Sequence, residues 1–135
     1  MKSSILLCIT LIVMGSFLGY AQTSQKETPA SLANKVEAYY FHFNARCETC
    51  RTVEAETKAD LESLYSGRIS FKAVNLDDAS SKLIAEKLKI SGQTLLIVKG
   101  DQQINLTNEG FLYAMTNPAK LKSIIKKKVD ALLDL

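Results

Sequence analysis

The chain has 135 residues, 47% of them hydrophobic and 23% charged, with six Gly and two Pro. One domain of ordinary size is expected, and collagen-like, disordered and low-complexity classes are excluded. The formal net charge of +3 is too small for a nucleic-acid footprint, and three cysteines are too few for a disulfide scaffold.

The N-terminus comes first in chain order. Lys2 precedes an apolar run from Ile5 to Phe17, broken only by Cys8, Thr10, Gly15 and Ser16, and Gly19-Tyr20-Ala21 follows. A short positive region, an apolar stretch and small residues at the peptidase positions describe a secretory signal over residues 1–21. A retained membrane anchor is the alternative, but the run is shorter than the ~20 residues a span prefers, and no cationic flank follows it. Cleavage after Ala21 removes Cys8 and leaves Cys47 and Cys50 as the only cysteines. The exported protein is then periplasmic or secreted, without a membrane anchor, and its cysteines meet an oxidising compartment.

Residues 22–31 are polar and read as a flexible arm, so the folded domain is expected over 32–135. Val36 to Phe43 (VEAYYFHF) is apolar without clean alternation, as for a strand buried on both faces. After the loop Asn44-Ala45-Arg46, a helix is predicted from Cys47 or Glu48 to Tyr65, with Val53, Thr57, Leu61 and Leu64 inward and Gly67 as its cap. Ile69 to Leu76 alternates as a strand. A helix starting at Ser80 or Ser81 should bury Leu83, Ile84, the stem of Lys87 and Leu88. Thr94 to Lys99 and about Gln103 to Leu106 form a hairpin turned at Gly100-Asp101. Asn117-Pro118 starts a closing helix with the stripe Leu121, Ile124, Ile125, Val129 and Leu132, and Lys126, Lys127 and Lys128 form its solvated face. This order predicts an α/β domain with a four-stranded mixed sheet and helices on both sides.

Chemistry centres on Cys47-Glu48-Thr49-Cys50. A cysteine at a helix start meets free backbone N–H groups and the positive end of the dipole, which favour its thiolate. One helical turn brings Cys50 within disulfide reach, so Cys47 is assigned as nucleophile and Cys50 as resolving partner. Arg46 and Arg51 should favour the Cys47 thiolate, and Glu48 should oppose it. Two other readings stay open: half of a metal site, for which four ligands are wanted, and a structural disulfide, whose short loop constrains the unfolded chain little. His42, the only histidine, is a candidate proton relay or a packed rim residue.

From about Leu32 to Leu135 the sequence resembles the thioredoxin superfamily. The resemblance rests on VEAYYFHF leading into the CxxC pair, on the hairpin segment Ile90 to Gly100, and on the helix opening at Pro118. It implies a thioredoxin-like three-layer sandwich and, with the export signal, a periplasmic thiol–disulfide oxidoreductase acting on protein thiols and disulfides. Arg46, Glu48, Thr49, Gln93 and Thr94 would meet the substrate, with Cys47, Cys50 and His42 catalytic. A membrane redox transporter is a further candidate partner; a monomer without a cofactor or resident metal is expected.

Three departures stand out. Gln93 occupies the place of the family's cis-proline, which helps hold substrate and shields the dithiol from metals. Phe41 occupies the place of the acid six residues before the first cysteine, leaving water, His42 or Glu54 to deprotonate the resolving thiol. Glu48-Thr49 matches neither the reducing nor the strongly oxidising members, so the direction of electron flow stays open. The alternative function is a thioredoxin-fold binding or accessory protein, its dithiol holding a soft metal ion or forming a non-catalytic disulfide.

Overall fold

The computed structural model describes residues 34–135. The expected signal (1–21), the polar arm (22–31) and the first two domain residues lie outside them. Strands β1 (Val36–His42), β2 (Ser70–Asn75), β3 (Thr94–Lys99) and β4 (Gln102–Asn105) form one sheet in the order β2-β1-β3-β4. β2 runs parallel to β1, while β3 is antiparallel to both β1 and β4. Helix α1 (Glu48–Tyr65) connects the parallel pair, as a parallel crossover requires.

β1 is apolar on both sides because it is central and both of its faces are covered. Val36, Ala38 and Tyr40 join one core with Val53 and Leu61 of α1 and with Leu121, Ile125 and Val129 of α4 (Pro118–Leu133). Tyr39 and Phe41 join a second core with Ala85 and Leu88 of α2 (Lys82–Leu88). The sandwich of helices, mixed sheet and helix is therefore present, with α1 and α4 on one face and α2 on the other.

Two details differ from expectation. Leu83 is 81% exposed and Lys87 is also exposed, whereas Ala85 and Leu88 are buried. A 3-10 turn over Ala79–Ser81 delays the α-helix to Lys82, so a two-turn helix presents Ile84, Ala85 and Leu88 to the sheet. In addition, β4 stops at Asn105, and an unanticipated helix α3 (Thr107–Tyr113) follows. Its start is held by Asn105 Oδ1, which accepts from the Thr107 N–H at 2.9 Å and hydroxyl at 2.6 Å. Gly110 hides this helix from propensity reasoning, because glycine weakens a helix interior.

The closing helix is as expected: Asn117 Oδ1 accepts the Lys120 N–H at 3.1 Å, and Pro118 occupies the first turn. α1 ends on two left-handed residues, Ser66 (φ 49) and then Gly67 (φ 79). Across the α1–α4 seam, the Tyr65 hydroxyl donates to Asp130 Oδ1 at 2.8 Å. Asp60 is buried in the same seam, 3.7 Å from Lys122 Nζ. Burial raises its carboxyl above the usual range, against the pull of Lys122.

Gly110 is required by contact. A Cβ there would lie 3.0 Å from Val53 Cγ1 and 3.4 Å from Leu95 Cδ2, both on fully buried side chains. Alanine would gain ~1 kcal/mol of helix propensity but incur 1–3 kcal/mol of overpacking, roughly. Gly110→Ala should therefore lose about 1 kcal/mol and lower Tm by roughly 4–8 °C in thermal unfolding; an unchanged or higher Tm would show that Val53 yields freely. For Asp60, the unfolded chain releases its proton at lower pH than the folded chain. Its contribution to stability must fall as pH rises through the carboxylate range. Urea unfolding at about pH 4 and pH 7 should show Asp60→Asn gaining stability relative to the parent as pH rises, and a pH-independent difference would contradict this sign.

Candidate functional site

The C-terminal end of β1 delivers the chain to the site. Leu76 N–H donates to the His42 carbonyl at 2.7 Å, extending the parallel pairing by one bond. The next loop is tied to the end of β2. The Asn44 N–H donates to Asp77 Oδ2 at 2.6 Å, and Asn75 Nδ2 donates to Asn44 Oδ1 at 2.7 Å. These bonds fix the entry into α1.

Cys47 is the N-cap of α1, in extended backbone at φ −76 and ψ 166. Its sulfur accepts the Cys50 N–H at 3.1 Å, a role usually filled by a Ser, Thr or Asp oxygen. The two cysteines form a disulfide with Cα atoms 5.1 Å apart. They are not equivalent: Cys47 is exposed, whereas Cys50 is only 6% exposed. The spacing thus brings both sulfurs together while leaving only the first open to a partner.

The other candidate residues are placed as follows. Glu48 is exposed in the first turn, and the Thr49 hydroxyl points to Met115 Sδ at 3.2 Å. Arg46 makes an ion pair with Glu54. Arg51 Nη1 donates to the Arg46 carbonyl at 3.2 Å. Hence Arg46 is committed to a carboxylate, and Glu54 is committed in turn. His42 Nδ1 lies 3.1 Å from the Phe43 carbonyl oxygen, so the Nδ1–H tautomer donates there and leaves Nε2 as acceptor. Among the described residues no hydrogen bond joins His42 to either cysteine.

Thr94 opens β3 beside the end of β1, where it pairs with Phe41, and Gln93 directly precedes it. Thr94 is buried, and its hydroxyl donates to the Gly92 carbonyl at 2.9 Å. Gln93 Nε2 donates to the Tyr40 hydroxyl at 2.6 Å. Every peptide bond among the described residues is trans. Sequence reasoning missed Tyr40. Phe41 packs on the α2 face of the sheet, and Tyr40 is the fully buried aromatic on the face that α1 covers. Burial pushes the Tyr40 hydroxyl up, with the Gln93 hydrogen bond and the Arg46 charge acting against it. Strand alternation was the available signal, since Tyr40 and Val36 share a face and Phe41 does not. Met115 was also missed, because the turn that presents it follows a helix, α3, that was not expected.

Among the described residues no three His, Cys, Asp or Glu side chains converge as metal ligands, so the cysteine pair would supply only two. No helix among them is long and apolar enough to cross a membrane.

No protein-family model matches the chain, and no curated protein matches it. Among solved structures, the chain is similar to Trxlp from Edwardsiella tarda EIB202 at 17% identity and a TM-score of 0.49, covering 72% of this chain and 92% of that one. It is similar to a malarial protein at 23% identity and a TM-score of 0.48, covering 69% and 96%. It is likewise similar to thioredoxin-2, a component of malaria parasite protein secretion machinery, at 23% identity and a TM-score of 0.48, covering 69% and 82%. By its own strand order, its helices on both faces and its cysteine pair at the head of α1, the chain has a thioredoxin-like fold.

Proposed function

We propose that the protein is an exported thiol–disulfide oxidoreductase that exchanges disulfides with a protein partner through Cys47, with Cys50 resolving. The observation that carries this reading is the asymmetry of the pair: an exposed cysteine capping an 18-residue helix, and a buried cysteine one turn later. The Cys50 N–H at 3.1 Å from the Cys47 sulfur and the helix dipole both stabilise negative charge on that sulfur.

In the reducing direction, the Cys47 thiolate attacks one sulfur of the partner's disulfide. A mixed disulfide forms and one partner thiolate leaves. The Cys50 thiolate then attacks the Cys47 sulfur, closing the Cys47–Cys50 disulfide and releasing the second partner thiolate. Two electrons pass to the partner, and its two thiolates take up protons from water. The same steps in reverse oxidise a partner dithiol, so the couple's potential against its surroundings sets the direction. Glu54 is bound to Arg46, which leaves water or His42 Nε2 to accept the Cys50 proton. The periplasm as the compartment rests on the secretory signal in residues 1–21.

The role assignment is tested in the full chain carrying Cys8→Ser. Adding Cys50→Ser should accumulate a mixed disulfide that reductant releases, visible as a mobility shift on non-reducing gels, whereas Cys47→Ser should trap at least tenfold less, roughly. Equal trapping by both variants would abolish the assignment, and stronger trapping by Cys47→Ser would reverse it. Export is checked separately by N-terminal sequencing of protein recovered from the periplasmic fraction. The expected first residue is Gln22; a chain beginning at Met1 in the cytoplasmic fraction would remove the exported setting.

A further inference from the structure

We infer that the cleft running from Arg46 along the outer face of α1 receives an acidic segment of the partner protein, next to the disulfide it presents to Cys47. This deepens the exchange reading and rests on it. The cleft measures about 360 Å³ and is lined by Arg46, Arg51, Glu54, Ala55 and Lys58. Arg46 directly precedes the nucleophile, and Arg51, Ala55 and Lys58 follow at helical spacing on one face. The cleft therefore begins at the residue next to Cys47 in the chain and leads away along α1.

Its charge balance selects the ligand. Three cations and one carboxylate line it, and that carboxylate is already paired with Arg46. Among the described residues, Arg51 and Lys58 take part in no ion pair. Arg51 is held in place by the Arg46 carbonyl, so its guanidinium is fixed beside the cysteine loop. With exposed Glu48 of the first turn included, three cations face two carboxylates, and the positive excess lies toward the Lys58 end of the cleft. A cationic track of this kind raises the encounter rate of an anionic partner and repels a cationic one.

The geometry also gives a spacing. At 1.5 Å per helical residue, Arg51 lies roughly 6 Å and Lys58 roughly 16 Å along α1 from Cys47. An extended peptide advancing about 3.3 Å per residue would place acids about two and five residues from its own cysteine.

The test uses the reduced full chain with Cys8→Ser and Cys50→Ser, and three synthetic symmetric peptide disulfides. These carry Glu, Gln or Lys at the second and fifth residues from the cysteine. Cys47 attacks one peptide sulfur, forming the mixed disulfide and expelling one peptide thiolate. Each second-order rate is divided by that of the same peptide with 2-mercaptoethanol, which removes the effect of flanking charge on the leaving thiol. The Glu peptide should react about tenfold faster than the Lys peptide, with Gln between. That ratio should fall toward one with Arg51→Gln and Lys58→Gln together, and in about 0.5 M salt. Equal normalised rates for Glu and Lys peptides, or a preference untouched by the double substitution, would overturn the cleft while leaving exchange intact. Failure of all three peptides, Gln included, to form a mixed disulfide would overturn the exchange reading and the cleft with it.

Discussion

The constraint on which the rest of the structure depends is the double burial of β1. As one of the two interior members of the order β2-β1-β3-β4, it is paired along both edges and packed on both faces. Tyr40 and Phe41 are both completely buried, on opposite sides. Each large apolar side chain removed from water contributes roughly 1.5–3 kcal/mol, so this strand anchors both cores at once. Because the chain must leave β1 at its C-terminal end to begin α1, the place where the cysteines stand is fixed by a strand buried on both faces. The hydrogen bonds from Asn44 to Asp77 and from Asn75 to Asn44 then hold the short connection against β2.

Where the sequence could be read and where it could not follows from how local each determinant is. β1 and β3 were legible as compact apolar runs and α1 and α4 as apolar stripes at helical spacing, and Cys47, Asn117 and Pro118 mark helix starts on their own. α2 was legible as an element but not in its facing. A helix of two turns buries only Ala85 and Leu88, with Ile84 half-buried beside them, too few to define a stripe, and Leu83 is left in solvent. α3 was not legible at all. Gly110 argues against a helix locally, and the reason for it, the approach of Val53 and Leu95, is tertiary. The same limit applied at the site. The spacing of Cys47 and Cys50 could be read directly, but the partners of Arg46 and Gln93 could not, since Glu54 and Tyr40 meet them only after folding.

Those partners change the electrostatic reading of the site. From sequence, Arg46 is a free cation beside the nucleophile, and the position behind the dithiol is empty of polar groups. In the fold, Arg46 shares its charge with Glu54 and also acts on the Tyr40 hydroxyl, which Gln93 contacts from the position just before β3. Gln93 thus spends its amide inward, on a buried phenol. The N-terminal end of β3 is tied to β1 through a side chain as well as through the ladder. A glutamine can do this because its amide donates, whereas proline at the same position has no donor to offer.

The inequality of the two sulfurs is itself a product of helix geometry. Cys50 begins the buried stripe of α1, which continues through Val53, Thr57 and Leu61. Cys47 lies three residues earlier and would share that face if the helix extended to include it. It does not, because at ψ 166 its backbone has already left the helix, and its sulfur stands at the helix's open end. The same departure from helical geometry exposes the sulfur and points the Cys50 N–H at it. Exposure and charge stabilisation therefore have one cause. Extending α1 by one turn would bury the first cysteine and remove its donor together, so the start of this helix is the feature on which the proposed chemistry turns.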